Sequence, residues 1–275
     1  MVAKKLNSDE VVLDIKPISV GKVTIDIIGA TPFIYNSISV KARRDLLFPR
    51  RANKAELAGR LKSDPLAEFR ASTYRKSTGD TALVIPAPMF KAAIANAALD
   101  VAGAKKAEIG RLLWVEGFSV PVYGIPQMIM GVMRDAGMTR APRIRTRAIL
   151  PVWTCRLAIT FITPNLNPQN VMNLVAASGL ICGIGDSRPQ KGKAAFGQYR
   201  YATTEDQKWL KEVQKTSGRA AQEAALRDPE LFDDDTRDLY EWFVEEVARR
   251  GQEGMLADDD EFEDLAEFDT EAAAQ

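Results

Sequence analysis

Arginines occupy alternate positions in residues 143–147, which read Arg-Ile-Arg-Thr-Arg. Period-two alternation places Arg143, Arg145 and Arg147 on one face of a β-strand. Alternate residues of a strand lie about 6.6 Å apart, a distance comparable to the phosphate spacing of an extended single strand. Because arginine binds phosphate through paired hydrogen bonds, the pattern favours phosphate contact over a sheet face that is merely solvated.

Basic residues also cluster elsewhere, in a first group of Arg43, Arg44, Arg50, Arg51 and Lys54, and at Arg134 and Arg140 just before the arginine strand. The formal net charge of the 275 residues is zero, but residues 1–200 hold 29 Lys and Arg against 14 Asp and Glu, whereas residues 201–275 hold 8 against 23. This division predicts a basic body that binds a polyanion and an acidic part that modulates the binding. The alternative is an ordinary surface whose charges happen to be segregated.

The absence of histidine restricts the chemistry of the chain. It excludes Ser-His-Asp and Cys-His nucleophile systems and zinc sites with histidine ligands, and two cysteines cannot make a four-cysteine site. We predict no cofactor and no metal site, although Mg²⁺ bound by carboxylates remains open. No apolar run reaches about 18 residues, and the N-terminus lacks the apolar core of a signal peptide, so we expect a cytoplasmic protein.

A glycine-rich basic loop covers residues 183–197, with Gly183, Gly185, Arg188, Lys191, Gly192 and Lys193 in its first part. Glycine allows close backbone approach, and consecutive amides can cradle a phosphate. A dinucleotide-binding fingerprint is excluded because Arg188 stands at its third glycine position, and no Gly-Lys-Ser/Thr of a Walker motif occurs. The alternative is a turn whose glycines serve the fold alone.

Hydrophobic periodicity predicts strands over 23–28, 82–85 and most of 143–162, and a final short strand over 196–201. Helices are predicted over 65–70, capped by Asp64, over 89–99, and over 169–179 with Gly179 at the C-cap. Helices and strands alternate irregularly, which favours an α+β fold over a doubly wound parallel sheet. A split β-α-β core of ferredoxin type is the simplest match.

Composition divides the chain into a basic core at 1–204, a helical extension at 205–254 and an acidic tail at 255–275. In the extension, Leu231, Leu239, Trp242, Phe243 and Val247 form an apolar stripe that we expect to pack on the body or on a partner. The segment 258–271 holds nine acidic residues and no basic ones, with Phe262, Leu265 and Phe268 between them. We expect the tail to be disordered.

Two segments together resemble the RAMP superfamily, the ferredoxin-like (RRM-like) RNA-binding proteins that include CRISPR backbone and guide-processing subunits. The first is the glycine loop, through Gly183, Gly185, Arg188, Lys191, Gly192, Phe196 and Gly197. The second is residues 84–98, with Lys91, which is similar to the family's segment at the start of a helix. There Pro88 and Ala92 stand where the family carries Ser and Gly.

The resemblance, taken with the basic clusters, implies a non-enzymatic protein that binds single-stranded RNA or DNA through the phosphate backbone and assembles as a homo-oligomer along it. Arg43, Arg44, Arg50, Arg51, Lys91, Arg140, the three strand arginines and the basic residues of the glycine loop are the predicted contacts, with Tyr199 or Tyr201 stacking on bases. Two alternatives stay open. One is a ribonuclease of the same fold using Asp135 or Asp186. The other is a phage assembly protein whose basic and acidic parts pair between subunits.

Residues 258–271 resemble the acidic tails of single-stranded-DNA-binding proteins, which compete with nucleic acid and recruit replication or effector partners. The chain ends Ala-Ala-Ala-Gln275 and lacks the terminal aromatic of that family. The whole chain also resembles uncharacterised bacteriophage proteins, which implies no function but would place the protein in the host cytoplasm.

Overall fold

A computed structural model describes residues 17–38, 43, 47, 64–134, 142–192 and 194–251. Its elements follow in chain order: β1 (Ser19–Gly29), β2 (Phe33–Ile34), α1 (Pro65–Ala71), β3 (Val84–Pro86), α2 (Ala87–Ala97), α3 (Lys106–Leu112), β4 (Leu113–Val115), β5 (Ser119–Tyr123), β6 (Gln127–Arg134), β7 (Pro142–Leu150), β8 (Thr154–Thr163), α4 (Pro168–Ala177), β9 (Tyr199–Tyr201), α5 (Gln207–Thr216), α6 (Arg219–Arg227) and α7 (Asp234–Arg250). None of the helices in these ranges combines the length and apolarity that a membrane crossing requires.

The main sheet has six antiparallel strands in the order β3-β5-β8-β1-β9, with β4 pairing beside β5 on β8. Taken as β1, β4/β5, β8 and β9, its strands follow the order 4-1-3-2, and α2 and α4 connect them as in a ferredoxin-like fold. The chain is therefore α+β with a ferredoxin-like core, as predicted. The second strand position is divided between two short strands, β4 and β5.

Alternation along β1 and β8 decides which face of this sheet is buried. Ile25 pairs with Leu157 and Ile27 with Cys155, and all four are buried beneath the helices. Asp26 pairs with Arg156 on the opposite face, where their side chains form an ion pair of 2.6 Å. One apolar face and one polar face per strand explain why the helices cover a single side.

A second, three-stranded sheet is inserted into this core, in the order β2-β7-β6. The β6–β7 hairpin lies between β5 and β8 in the chain, and α1 packs against β7. Helix α1 begins as predicted, because the Asp64 carboxylate accepts a hydrogen bond of 3.1 Å from the Ala67 amide and Pro65 occupies the first turn.

The C-terminal helices pack into the body. The fully buried Gln222 of α6 accepts hydrogen bonds from the amides of Ala82 and Leu83 and donates to the carbonyls of Val122 and Gly124. Leu226 joins the main hydrophobic core. Such a network fixes α6 to two strands, because any lost partner would leave a buried backbone group unsatisfied.

The predicted C-cap of the helix at 169–179 is wrong by four residues. Helix α4 continues from Ser178, whose amide bonds to the Leu174 and Val175 carbonyls, into a π-helical turn over Ser178–Cys182. Gly183, with φ 64°, ends that turn, and its amide donates to the Ser178 carbonyl at 2.9 Å. The left-handed conformation that favours glycine is therefore needed at Gly183 and not at Gly179.

Candidate nucleic-acid interface

An open groove of about 780 Å³ lies between the β6–β7 hairpin, helix α1 and helix α7. We call it the arginine groove, because Arg143, Arg145 and Arg147 of β7 and Arg250 of α7 line it. Glu68 and Glu246 also line it, so four cationic side chains stand against two carboxylates. Its remaining lining includes Ile38, Met130, Ile144, Thr146, Trp242 and Phe243.

The strand arginines differ in their surroundings. Arg143 and Arg145 are exposed at alternate positions of β7, and the strand predicted for residues 143–147 is confirmed. Arg147 is only 15% exposed, and its guanidinium lies 3.2 Å from the Asp186 carboxylate. It also donates to the Tyr35 carbonyl at 3.0 Å. The expectation that all three charged heads face solvent is wrong for Arg147, which is held by the glycine loop.

The edge of β7 that faces away from β6 forms the floor of the groove. The Thr146 amide donates to the Glu68 carboxylate at 3.0 Å, and the Ala148 amide donates to the Ser72 hydroxyl at 2.8 Å. Backbone groups of alternate residues point to the same side of a strand, so those of Ile144 also point into the groove. The hydroxyl of Thr146 is buried and has no hydrogen-bond partner among the described residues.

Helix α7, which packs against β6, also lines the groove, and the sequence did not predict this. Trp242 is 60% exposed, although it belongs to the predicted apolar stripe. Trp242, Glu246 and Arg250 are spaced by four residues and therefore form one row on the helix surface. That spacing is the signal the sequence offers, but the sequence does not show that this row lines a groove with β7.

Glu246 is bound by two arginines at the end of α7. The Arg249 guanidinium, and then that of Arg250, donate hydrogen bonds that lower the pKa of the Glu246 carboxyl to about 2. These bonds largely offset the negative charge of Glu246 at the mouth of the groove.

The glycine loop uses its backbone amides internally. The Ile184 amide donates to the Gly197 carbonyl, that of Asp186 to Ile34, and that of Gly192 to Arg188. Gly185, with φ 81°, has no room for a Cβ, which would lie 2.6 Å from the Ile34 carbonyl oxygen. The prediction that the loop's amides cradle a phosphate is therefore wrong for these three amides. They donate hydrogen bonds within the protein, which hold the loop against β2.

The basic side chains of the glycine loop differ in their exposure. Arg188 is half-buried and donates to the Gly185 carbonyl at 2.8 Å, whereas Lys191 and Gly192 are exposed. Lys91 is half-buried on α2, and the same helix contacts the glycine loop through Asn96, which donates to Gln190 at 3.3 Å. Neither lysine lines the arginine groove.

Arg43 lies at the mouth of the arginine groove, where it donates to the Ile38 carbonyl at 3.0 Å. It is exposed, and Ile38 itself lines the groove. The other predicted contacts Arg44, Arg50, Arg51, Arg140 and Lys193, together with Asp135 and the tail 255–275, lie outside the described residues.

Tyr199 is placed in the core and not at a surface. It is 2% exposed, its hydroxyl bonds to that of Ser178 at 2.7 Å, and burial raises its pKa well above the ordinary value. The predicted base stacking by Tyr199 is corrected, because the ring packs edge-on against Phe90 and Trp153. Tyr201, two residues on, is 37% exposed.

The polar face of the main sheet offers no aromatic platform on its two central strands. Lys22, Thr24 and Asp26 of β1 pair there with Thr160, Ala158 and Arg156 of β8. RNA-recognition motifs stack bases on aromatic residues of such strands. The arginine groove, with Trp242, is therefore the better candidate interface.

No protein-family model matches the chain, and no curated protein matches it. Among solved structures, it is similar to a chain in the cryo-EM structure of the type III-B Cmr-beta complex bound to cognate target RNA, with 16% identity and a TM-score of 0.33. The match covers 67% of this chain and spans 59% of that chain. Within the described residues, no group of three or more Cys, Asp or Glu is arranged to hold a metal ion.

Proposed function

We propose that this chain is a non-enzymatic protein that binds single-stranded RNA or DNA by its phosphate backbone, in the arginine groove. One observation carries the proposal: exposed Arg143 and Arg145 alternate along β7 in a groove that an exposed Trp242 also lines. Arginines can hold successive phosphates while an aromatic ring stacks on a base, and such stacking tolerates any sequence.

Arg147 has a positioning role in this proposal. Its ion pair with Asp186 and its bond to the Tyr35 carbonyl join β7 to the glycine loop and to the segment after β2. The joined elements hold the strand rigid beneath Arg143 and Arg145, so that the two guanidinium groups keep their spacing. Rigid placement lowers the entropic cost of binding.

A longer path beyond the groove is part of the proposal. Exposed Lys191 in the glycine loop and exposed Arg43 at the groove's mouth extend the basic surface. The RAMP-like motifs around Lys91 and Lys191 support a second contact region, and protomers would then line up along one strand. A ribonuclease that uses Asp186 is less favoured, because the Asp186 carboxylate pairs with Arg147.

Binding of labelled single-stranded RNA, single-stranded DNA and duplex DNA tests the proposal by fluorescence anisotropy. We expect both single strands to bind more tightly than duplex, and Arg143→Ala with Arg145→Ala to weaken both strands alike. Arg111→Ala is the matched control, since Arg111 is exposed on α3 outside the groove. Equal affinity of the groove variant and the control would reject the groove as the interface.

A further inference from the structure

Helix α5 carries every lysine of the span 201–275. Lys208, Lys211 and Lys215 are spaced by three and four residues and therefore form one row on the helix surface. All three are exposed, and we call this row the lysine ridge. It extends about 10 Å along the helix axis, so its ammonium groups can contact successive phosphates of one strand.

The lysine ridge carries positive charge in an acidic part of the chain, where residues 201–275 hold 8 Lys and Arg against 23 Asp and Glu. Arg219, Arg237 and Arg249 each form an ion pair with a carboxylate of their own helix. The ridge lysines form no ion pair within the described ranges of the chain, although Glu212 of the same helix is exposed beside them. Their charges are therefore available to a ligand.

The protein body holds the helix beneath the ridge in place. Leu210, on the face of α5 that is turned to the protein, is 2% exposed, and the helix packs against β8. At the start of the helix, the Asp206 carboxylate accepts two hydrogen bonds of 2.7 Å from the Arg200 guanidinium and one of 2.8 Å from the Thr203 amide. A rigid support of this kind lowers the entropic cost of binding a ligand at the ridge.

An aromatic ring stands beside the lysine ridge. Trp209 precedes Leu210 in α5, is adjacent to Lys208 and is 40% exposed. Positive charge combined with exposed aromatic rings is typical of proteins that bind single-stranded nucleic acid, because every base can stack on a ring. The bases of a duplex are already stacked on one another, and an acidic protein has no bases to stack. The ring therefore favours a single strand as the ligand of this surface.

We propose that the lysine ridge and Trp209 form a second contact surface for single-stranded nucleic acid. The surface is distinct from the arginine groove, since none of its four residues lines that groove. The lysines bind phosphates as point charges on flexible stems, and the ring stacks on a base. The nature of the ligand rests on the proposed function, whereas the location of the surface on α5 does not.

Protection of lysines from acetylation tests this surface directly. The full-length protein is acetylated with and without a saturating single strand of about 30 nucleotides, and mass spectrometry measures the reactivity of each lysine. We expect the ridge lysines to lose reactivity several-fold, and Lys106, which is exposed on α3, to keep it. Unchanged reactivity of the ridge would overturn the proposal. Equal or stronger protection by a duplex of the same length would overturn the assignment to a single strand.

Conversion of the three ridge lysines to glutamine measures what the ridge adds to affinity. Single-strand binding should weaken about tenfold at low salt, because each exposed ion pair contributes little alone. The log–log salt slope should become shallower by about 2, since each phosphate contact contributes about 0.7. The matched control removes three exposed cations outside the groove, Lys106→Gln, Arg111→Gln and Arg227→Gln, and should change both values much less. Equal effects in the two triple variants would overturn the proposal.

Fluorescence reports the stacking on Trp209. Its emission, obtained by difference from the Trp209→Phe variant, should fall as a single strand binds, because a stacked base quenches indole fluorescence. Emission that stays unchanged on binding would overturn the role of this ring.

The groove variant, Arg143→Ala with Arg145→Ala, separates this proposal from the proposed function. In that variant the ridge lysines should stay protected at a saturating concentration of the strand, and loss of their protection would overturn a second surface. If the groove variant binds with unchanged affinity while the ridge variant loses binding, the ridge is supported and the groove is rejected as the interface. Absence of any single-strand binding by the unchanged chain rejects both.

Discussion

The contrast between Arg147 and its two neighbours gives the sharpest prediction. Changing Arg143 and Arg145 together to Ala should lower the free energy of unfolding by less than about 1 kcal/mol, because interactions of exposed charged side chains contribute little to stability. Each lost charged hydrogen bond to phosphate costs about 1.5 kcal/mol or more, so single-strand affinity should fall about 100-fold at low salt. Arg147→Ala instead leaves the Asp186 carboxylate and the Tyr35 carbonyl without their cation. It should lower the free energy of unfolding by about 2 kcal/mol.

Chemical denaturation and anisotropy on the same protein samples measure both effects. The double variant should lose binding with little loss of stability, and Arg147→Ala should lose stability first, with binding reduced only through a less rigid strand. The reasoning is refuted if Arg147→Ala keeps full stability, since Arg147 would then not be held by the glycine loop. It is equally refuted if the double variant is destabilised by as much as Arg147→Ala.

Three further predictions concern Trp242 of the groove, the buried Gln222 of α6 and the acid titration of Glu246. Trp242→Ala should weaken binding of every single strand by about 1–3 kcal/mol, and Trp242→Phe by less, with circular dichroism unchanged; equal loss in both variants would argue against stacking. Gln222→Leu should lower the free energy of unfolding by about 3 kcal/mol or more, because four buried backbone groups lose their partner; an unchanged denaturation midpoint would contradict the network. Glu246, whose pKa is lowered to about 2 by Arg249 and Arg250, should add its full stability above the ordinary carboxyl pKa, and this contribution should decline as pH falls from there through about 2; a carboxyl carbon-13 titration with an ordinary midpoint would contradict this.

Local patterns predicted much of the fold. The Asp64 cap, the helix after Pro86 and the strand over residues 143–147 depend on neighbours within a few positions, so period and capping chemistry suffice. The order of these elements then admits few topologies, and the ferredoxin-like arrangement follows. The end of the helix at 169–179 was misplaced because two glycines compete for the C-cap, and only the π-helical turn selects Gly183.

The groove depends on contacts between distant parts of the chain, and these have no local signature. Trp242 and Arg145 line the same groove, although nearly one hundred residues of sequence separate them. The alternating pattern places Arg143 and Arg147 on one face of the strand. Asp186 of the glycine loop pairs with Arg147, whereas Arg143 is exposed. Tyr199 is followed by two exposed residues, but packing against Phe90 buries its ring. Tertiary packing decides these cases.

The salt dependence of single-strand binding tests the central claim most directly. For phosphate-led binding, log affinity falls linearly with log salt, with a slope of about −0.7 for each phosphate neutralised in a single strand. Anisotropy titrations across salt should give a steep slope for the unchanged chain and a slope shallower by about 1.4 after Arg143→Ala with Arg145→Ala. Parallel lines for the two proteins, or an affinity independent of salt, would contradict phosphate binding by these arginines.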